Sequence, residues 1–386
     1  MRMLMDQHLL LTPGPTPVPD RVKYAMNAPM IGHRSKEFPL LLEDAAKQLM
    51  PVFGSKTPIA IIAGSGTAAL EAAAANIIES EDSVIVIVTG AFGERFAQIC
   101  EAFGANVHRL EIEWGKACAP EVLEQYIDRL GISLKAVFST YCETSTGVLN
   151  PIQALGSVVK TKTDALFIVD GVSCIGAVPV DMEGWHIDIL VSGSQKALML
   201  PPGLAFIAAG DAARKQISKT KSSRFYLDLN RYFSSYETEH STPFTPAVSL
   251  IFGAREVCRM IQEEGFENVI NRHLLLKNMM REGLKALEIP LLAEDDSASP
   301  TITSIKTMDD TTRQLKSFLE NHYSISLAGG QKRLKGQIMR IGHMGYCTPH
   351  QILTALSSIE MALYKISGKD LLGKGVAKAQ EVWIHA

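Results

Sequence analysis

The chain has 386 residues, 46% of them hydrophobic, and its charge is nearly balanced, with 38 Lys and Arg against 41 Asp and Glu. This balance, with no block of like charges, argues against nucleic acid and anionic membranes as partners. The six cysteines form no CxxC pair, which indicates reduced thiols and neither a disulfide framework nor a metal site. The N-terminal apolar run is too short for a signal peptide, and no stretch approaches a membrane span. We therefore expect a soluble cytoplasmic protein.

Short β-branched runs alternate with longer amphipathic stretches between residues 59 and about 220. Continuous apolar runs such as VIVIV are typical of strands buried on both faces, which favours a mostly parallel sheet wrapped by helices. The predicted strands are Ile59–Ala63, Ser83–Val88, Asn106–Leu110, Lys135–Thr140, Ala165–Asp170, Asp188–Ser192 and Leu204–Ala208. The helical patterns between them include Gly66–Glu79, Phe92–Phe103, Pro120–Leu130 and Ile152–Lys160.

The alternation of predicted strands and helices ends before about residue 247. Two long helical patterns, Ala247–Glu264 and Glu267–Leu287, lead into strands around Thr301–Lys306 and Gln337–Ile341 and a final helix, Pro349–Ile366. This order predicts a smaller α+β domain after a large α/β domain. We expect an N-terminal segment at 1–40, a large domain at 41–250 and a small C-terminal domain at 251–386.

Two residues point to a specific chemistry. Lys196 lies in a small-residue turn after a strand, in DILVSGSQKALMLPPG, and partial desolvation there favours the neutral amine that a Schiff base needs. Asp170 ends the buried run ALFIV, at the sheet edge where α/β proteins bind ligands. Alone, a surface lysine and a helix-capping aspartate are the ordinary interpretations. Together they predict a Schiff-base lysine and an acid that keeps the ring nitrogen of pyridoxal phosphate (PLP) protonated.

A glycine-rich loop, GSGT at 64–67, connects a strand to the helical stretch AALEAAAANII. Its glycines allow close backbone approach, and the start of the helix favours an anion such as phosphate. The loop also fits a loose GxGxxA dinucleotide fingerprint. That alternative requires an acidic residue at the end of the next strand, and SVIVIV ends in Thr89 instead, so the ribose of NAD has no anchor.

Three further residues fit the same pocket. Thr144, in the loop STYCETSTGVLNP, can bond to ring or phosphate oxygens, although an ordinary connecting loop has the same composition. Phe92, in GAFGER, fits over a flat ring or in the core. Arg340 lies in an apolar strand, where a guanidinium needs an anion: a substrate carboxylate or a glutamate in an ion pair.

These motifs in this order resemble the class V aminotransferases of PLP fold type I, in particular the alanine–glyoxylate and serine–glyoxylate (serine–pyruvate) group. The resemblance covers nearly the whole chain, and the block SGSQKAL…PPG is its most specific part. The other segments that carry it are LLTPGPTPVP, MIGHRSKEF, GSGTAALEA, GAFGER, ETSTGVLNP, VDGVSCIGAVPVDM and MRIGHMG.

The resemblance implies a seven-stranded large domain, a small α+β domain and a role for each matching residue. Lys196 matches the Schiff-base lysine, Asp170 the partner of the pyridine nitrogen, and Arg340 the carboxylate-binding arginine. The other implied cofactor contacts are Ser65, Gly66 and Thr67 in the phosphate loop, Gln195 at the phosphate, Thr144 as a donor, Val172 under the ring and Phe92 at the stacking position, which is tryptophan in several relatives. No metal is expected.

The resemblance also implies a homodimer with active sites at the subunit interface. The segment HSTPFTPAVSL matches the one that reaches the phosphate of the neighbouring subunit, and either Thr242 or Thr245 makes that contact. The PGP loop near the N-terminus resembles the segment that closes over the substrate.

The implied activity is ping-pong transfer of an amino group from alanine or serine to glyoxylate or pyruvate. The same fold also serves other donors, such as aspartate or an aminophosphonate, and hosts lyases and cysteine desulfurases. A desulfurase needs a mobile cysteine and typically a histidine over the ring, whereas Phe92 holds that position here and Cys347 is the only cysteine near the expected substrate side. A nucleotide-binding module without enzymatic activity explains neither Asp170 nor Lys196.

Overall fold

The structure is a computed structural model that describes residues 8–386. The first part of the chain forms a short strand and two helices: β1 (Leu9–Leu10), α1 (Asp20–Met26) and α2 (Glu37–Phe53). The next part contains the large sheet: β2 (Ala60–Gly64), α3 (Gly66–Ile77), β3 (Ser83–Val88), α4 (Ala91–Ala102), β4 (Asn106–Glu111), α5 (Pro120–Leu130), β5 (Ala136–Thr140), β6 (Cys142–Glu143), β7 (Val148–Leu149), α6 (Ile152–Lys162), β8 (Leu166–Asp170), β9 (Ile189–Gly193) and β10 (Gly203–Ala209).

The rest of the chain is mainly helical and carries a second sheet. Its elements are α7 (Asp211–Ile217), α8 (Leu229–Glu239), α9 (Val248–Glu264), α10 (Phe266–Ala286), β11 (Ile302–Lys306), α11 (Asp310–Tyr323), β12 (Ile325–Ser326), β13 (Ala328–Gly329), β14 (Ile338–Gly342), α12 (Pro349–Ser367) and α13 (Lys374–Ile384). Within residues 8–386, no helix is both long enough and apolar enough to cross a membrane.

The large sheet has seven strands in the order β2-β10-β9-β8-β5-β3-β4, and only β10 runs antiparallel to its neighbours. This confirms the predicted α/β fold with a mostly parallel seven-stranded sheet. Side chains of β3 alternate between two apolar layers, with Ile85 and Ile87 on one face and Val84 and Val86 on the other. Burial on both faces explains why the strands are continuous apolar runs.

The small sheet, in the order β11-β14-β13, packs with α10, α11 and α12 around a separate core that includes Leu276, Leu315 and Leu356. The N-terminal segment joins this part of the molecule, since β1 pairs in parallel with β12 and Leu11 lies in the same core. From there the chain runs directly to the edge of the large sheet.

The chain passes from the core of the large sheet to the core of the small sheet later than residue 250, the predicted domain boundary. Helix α9 packs Ile251 and Val257 into the core of the large sheet, and the other core begins within α10 at Leu276. The proposed domain boundaries stay a prediction, but the packing favours a division inside α10.

Candidate active site

A cavity of about 110 Å³ lies at the edge of the large sheet where β2, β5, β8 and β9 end. Its lining contains nine of the predicted site residues, namely Ser65, Gly66, Thr67, Phe92, Thr144, Asp170, Val172, Gln195 and Lys196. Leu70, Arg95 and Ser173 complete the lining. A larger cavity of about 470 Å³ involves Lys160, His186 and Asp188, near the opposite ends of β8 and β9. The predicted chemistry belongs to the smaller cavity, because the lysine and the acid lie there.

Lys196 follows β9 in a tight turn. The Ser194 hydroxyl fixes this turn by donating to the Pro201 carbonyl at 2.7 Å and accepting from the Leu204 N–H at 3.1 Å. Burial lowers the pKa of Lys196 to about 8, so the neutral fraction of the amine near physiological pH is far larger than for an ordinary lysine. A neutral, buried amine is the form that can attack a carbonyl carbon.

The N-terminal PGP loop contacts this lysine directly. The Lys196 Nζ donates a hydrogen bond to the Pro13 carbonyl. Gly14 has a φ of +97°, and a Cβ there would lie 2.5 Å from Lys196 Cδ, so only glycine allows the loop to pass so close. The loop therefore covers the lysine from the side of the small sheet.

Asp170 is the last residue of β8, and its carboxylate accepts a hydrogen bond from the Val172 N–H at 2.8 Å. Burial raises the pKa of Asp170 to about 7, although the nearby charges of Lys196 and Arg95 act in the opposite direction. A cationic hydrogen-bond donor beside the carboxylate would restore its charged form. The protonated nitrogen of a pyridine ring is such a donor.

The loop between β2 and α3 forms the second end of the cavity. Ser65 is the N-cap of α3 and its hydroxyl accepts from the Ala68 N–H, while the other N–H groups of the first turn have no intrahelical partner. A Cβ at Gly66 would lie 3.0 Å from the Val172 methyl groups, so this glycine keeps the space narrow. Gln195 Oε1 is buried without a hydrogen-bond partner in the described part of the chain, so this side chain has an acceptor available for a donor group of a ligand.

The side walls of the cavity lie between the Lys196 and Asp170 end and the Ser65–Thr67 loop. Phe92 at the start of α4 and Val172 after β8 both line the cavity and are half-buried. The buried hydroxyls of Thr144 and Ser173 share a hydrogen bond, so Ser173 holds Thr144 in place. An aromatic plate, a branched aliphatic side chain, an acid and an anion-binding loop together fit a flat ring that carries a basic nitrogen and a phosphate.

Arg340 lies on β14, opposite Ser304 and Ala328 on the neighbouring strands. Its guanidinium donates from Nε to the Gly329 carbonyl at 2.9 Å and from Nη1 to the Thr144 carbonyl at 3.0 Å. No carboxylate of residues 8–386 forms an ion pair with it, although Glu143 is near enough to influence its pKa. Carbonyl oxygens leave the positive charge uncompensated, which favours a carboxylate ligand over an ion pair within the protein.

Glu143 was not among the residues predicted from the sequence, and yet it organises one side of the cavity. Its fully buried carboxylate accepts from the N–H groups of Phe92, Gly93 and Ser145 at 3.0–3.1 Å, and from the Ser145 hydroxyl at 2.6 Å. It thus caps helix α4, whose own N-cap Gly90 has no side chain to do so. A glutamate between a buried strand and the TSTG turn was the only available signal.

The two threonines expected at a subunit interface lie outside this cavity. The Thr242 hydroxyl is buried and donates to the Phe244 carbonyl at 2.8 Å, and its own carbonyl accepts from Arg34. Thr245 is exposed at the start of the segment that leads into α9. Neither residue reaches the Ser65–Thr67 loop of its own chain through any hydrogen bond of the described structure.

A mostly parallel seven-stranded sheet with a buried lysine, an acid and a phosphate loop at one edge defines the class of PLP-dependent α/β enzymes. The family comparison agrees: residues 10–352 match the model of "Aminotransferase class-V", so the chain belongs to the class V aminotransferases. Members of this family depend on PLP, and the cavity described above fits that cofactor.

Similar proteins carry several names. An uncharacterized aminotransferase of Methanocaldococcus jannaschii is 44% identical over 99% of both chains. A Synechococcus protein named as the small subunit of a soluble hydrogenase is 38% identical over 98% of this chain and 99% of its own. The L-aspartate–glyoxylate aminotransferase of Paracoccus denitrificans is 31% identical over 98% of this chain and 96% of its own.

Two solved structures share the complete fold. The ureidoglycine–glyoxylate aminotransferase of Bacillus subtilis has a TM-score of 0.90 and 31% identity, and it covers 100% of both chains. The pyridoxamine–pyruvate aminotransferase of Mesorhizobium loti has a TM-score of 0.94 and 27% identity, again over 100% of both chains.

The lowered pKa of Lys196 predicts how fast the apoprotein captures PLP at different pH. Only the neutral amine reacts, so the rate should rise with pH, reach half its maximum at about pH 8, where half of the amine is neutral, and level off at higher pH. Stopped-flow absorbance with the wild-type apoprotein measures this profile.

Lys196→Ala should show no covalent capture of PLP. In the wild-type protein, borohydride reduction followed by peptide mapping should label Lys196 alone. A label on another lysine would contradict the assignment.

Asp170→Asn should retain the fold and yet slow proton removal from the substrate by several orders of magnitude, because a neutral amide cannot hold the ring nitrogen in its charged form. Single-turnover absorbance with an amino acid donor measures this rate. Asp164→Asn, a change at a loop aspartate outside the lining of the active-site cavity, is the matched control. A near-normal rate in Asp170→Asn would make the residue a structural cap.

Proposed function

We propose that the protein transfers an amino group from a small amino acid, alanine or serine, to glyoxylate or pyruvate by a ping-pong mechanism. The observation that carries this proposal is the arrangement of Arg340 and Lys196. The Arg340 guanidinium has no acidic partner among residues 8–386, and its positive charge adds to burial, the main cause, in lowering the pKa of Lys196. A carboxylate bound to Arg340 would bring the α-carbon of an amino acid towards the lysine.

In this proposal, each residue of the site has a separate role in the reaction. PLP, when bound, supplies an electron-accepting ring. Arg340 holds the substrate carboxylate, and Lys196 Nζ takes the proton from the α-carbon and returns it as an acid. Asp170 would hold the ring nitrogen in its protonated form, and Phe92 and Val172 would hold the ring in place. The PGP loop excludes water from the lysine by covering it.

We propose a small donor because the other candidate arginines, Arg34, Arg95 and Arg224, form hydrogen bonds with other groups of the protein. Arg34 donates to Ser241 and Thr242, and Arg224 donates to three backbone carbonyls around residues 217–222. Arg95 lies beside Thr67 at the phosphate loop. A donor with a second carboxylate would therefore lack a fixed cation beside Arg340 and would lose hydration without compensation.

Two relatives support glyoxylate as acceptor, because both the aspartate-dependent and the ureidoglycine-dependent enzyme are named for it. Their donors differ from each other. The acceptor glyoxylate is thus better supported than the donor. Aspartate is the alternative donor, because the Paracoccus relative is named for it.

Among residues 8–386, the site lacks two features that are typical of a cysteine desulfurase, a reactive cysteine and a histidine over the ring. Cys347 is buried, and burial raises the pKa of its thiol to about 12, so the reactive thiolate is scarce at neutral pH. Phe92, and no histidine, lies at the stacking wall.

We also propose that the active unit is a homodimer in the cytoplasm. Thr245 is exposed and has its hydroxyl free of the bonds that occupy Thr242, so Thr245 is the better donor to the phosphate of a partner subunit. The exposed Phe225 and Tyr226 pack beside Phe244 and would be covered by such a partner. All six cysteines are free thiols, in keeping with a reducing compartment.

Arg340→Ala should lower kcat/KM by roughly 10²-fold or more, because a bidentate carboxylate contact is lost from the transition state. PLP content should stay normal. Arg313→Ala, which removes an exposed arginine paired with Asp310, is the control and should change neither quantity. Loss of PLP or of folding in Arg340→Ala would show a structural role instead.

Alanine or serine should convert the PLP form faster than aspartate or glutamate at equal concentration. Single-turnover rates for the four donors, followed by loss of the visible absorbance band, measure the preference. A tenfold advantage for aspartate or glutamate would show that a cation reaches the side-chain carboxylate, and the proposed donor class would be wrong.

A further inference from the structure

Arg95 lies on helix α4 and connects two walls of the cavity. Its Nη1 donates to the Thr67 hydroxyl at 3.3 Å, and its guanidinium carbon lies 4.6 Å from the centre of the Phe92 ring. No ion pair with a carboxylate of residues 8–386 holds it, since the neighbouring Glu94 is paired with Arg109 at 3.1 Å. Its charge nevertheless reaches the centre of the site, because it influences the pKa of both Asp170 and Lys196.

The phosphate loop itself is short of positive charge. A phosphate monoester carries a charge of about −1.5 to −2 near neutral pH. The groups around the loop are a hydroxyl at Ser65, backbone N–H groups and the Gln195 amide, all of them neutral, and the start of α3 contributes only about half a charge. Lys196 is committed to the reacting carbon. Of the residues that line the cavity, Arg95 is the remaining cation.

We propose that Arg95 is a ligand of the cofactor phosphate and supplies the positive charge that the Ser65–Thr67 loop lacks. The inference rests on the proposed placement of PLP in this cavity. The guanidinium stays stacked on Phe92, so the same side chain that balances the phosphate also fixes the aromatic wall against which the ring lies. A cation used in this way is not available to a second carboxylate on the donor, which accounts for the preference for small donors.

Binding of PLP and of pyridoxal, its analogue without the phosphate, tests this role. Dissociation constants for both ligands are measured by absorbance and fluorescence titration of wild-type apoprotein, Arg95→Ala, Arg95→Lys and the control Arg129→Ala. Arg129 also lies over an aromatic ring, that of Tyr126 at 5.0 Å, but its helix α5 contributes no residue to the cavity lining.

Arg95→Ala should weaken PLP binding by about tenfold or more and leave pyridoxal binding within about twofold, because only PLP carries the charge that Arg95 meets. Arg95→Lys should lie between the two, and Arg129→Ala should match the wild type. Titration of the apoproteins with inorganic phosphate should show the same weakening in Arg95→Ala alone.

Equal weakening of both ligands would show that Arg95 acts only by holding Phe92, and unchanged binding of PLP would exclude any contact; either result overturns the proposal. Thermal unfolding of each variant identifies a folding defect, and Arg95→Lys then carries the comparison. A wild-type protein that binds PLP but does not convert alanine or serine would refute the proposed donors while leaving the result for Arg95 intact.

Discussion

The active site depends on the direction of the strands in the large sheet. Because β2, β5, β8 and β9 run parallel, their carboxyl ends lie at one edge, and residues from four distant parts of the chain meet there without long loops. Asp170 ends β8, Thr144 follows β5, the phosphate loop follows β2, and Lys196 follows β9. A change of register in any of these strands would displace its functional residue by at least one position.

Burial at this edge then sets the chemistry of the charged groups. The same desolvation lowers the pKa of Lys196 and raises that of Asp170, so both groups titrate near neutral pH in the absence of a ligand. Glu143 is subject to the same desolvation, which raises its pKa, but its four hydrogen bonds favour the carboxylate form. Each buried charge is thus either held by hydrogen bonds or placed where a ligand of opposite charge belongs.

Much of this arrangement could be predicted from the sequence. Runs buried on both faces identify most strands of the large sheet, and Asp170, Lys196 and the glycine-rich loop lie at or just after the ends of such strands. Glu143 could not be found in this way, because its partners on α4 lie about fifty positions earlier in the chain. Helix α9 has an amphipathic pattern that is the same whichever core it joins, so the pattern did not show that α9 packs against the large sheet. The choice between Thr242 and Thr245 depends on a second subunit, about which one sequence carries little information.

Arg340 is held by backbone oxygens from two parts of the molecule: Gly329 in the small sheet and Thr144 in a turn at the edge of the large sheet. Its distance from Lys196 is therefore a property of how the two parts of the molecule are joined, and not of the cavity lining alone. Attempts to alter the substrate range by directed evolution should for this reason randomise β11, β13 and β14 as well as the cavity residues. Substitutions there would reposition the carboxylate contact without replacing any residue that lines the cavity.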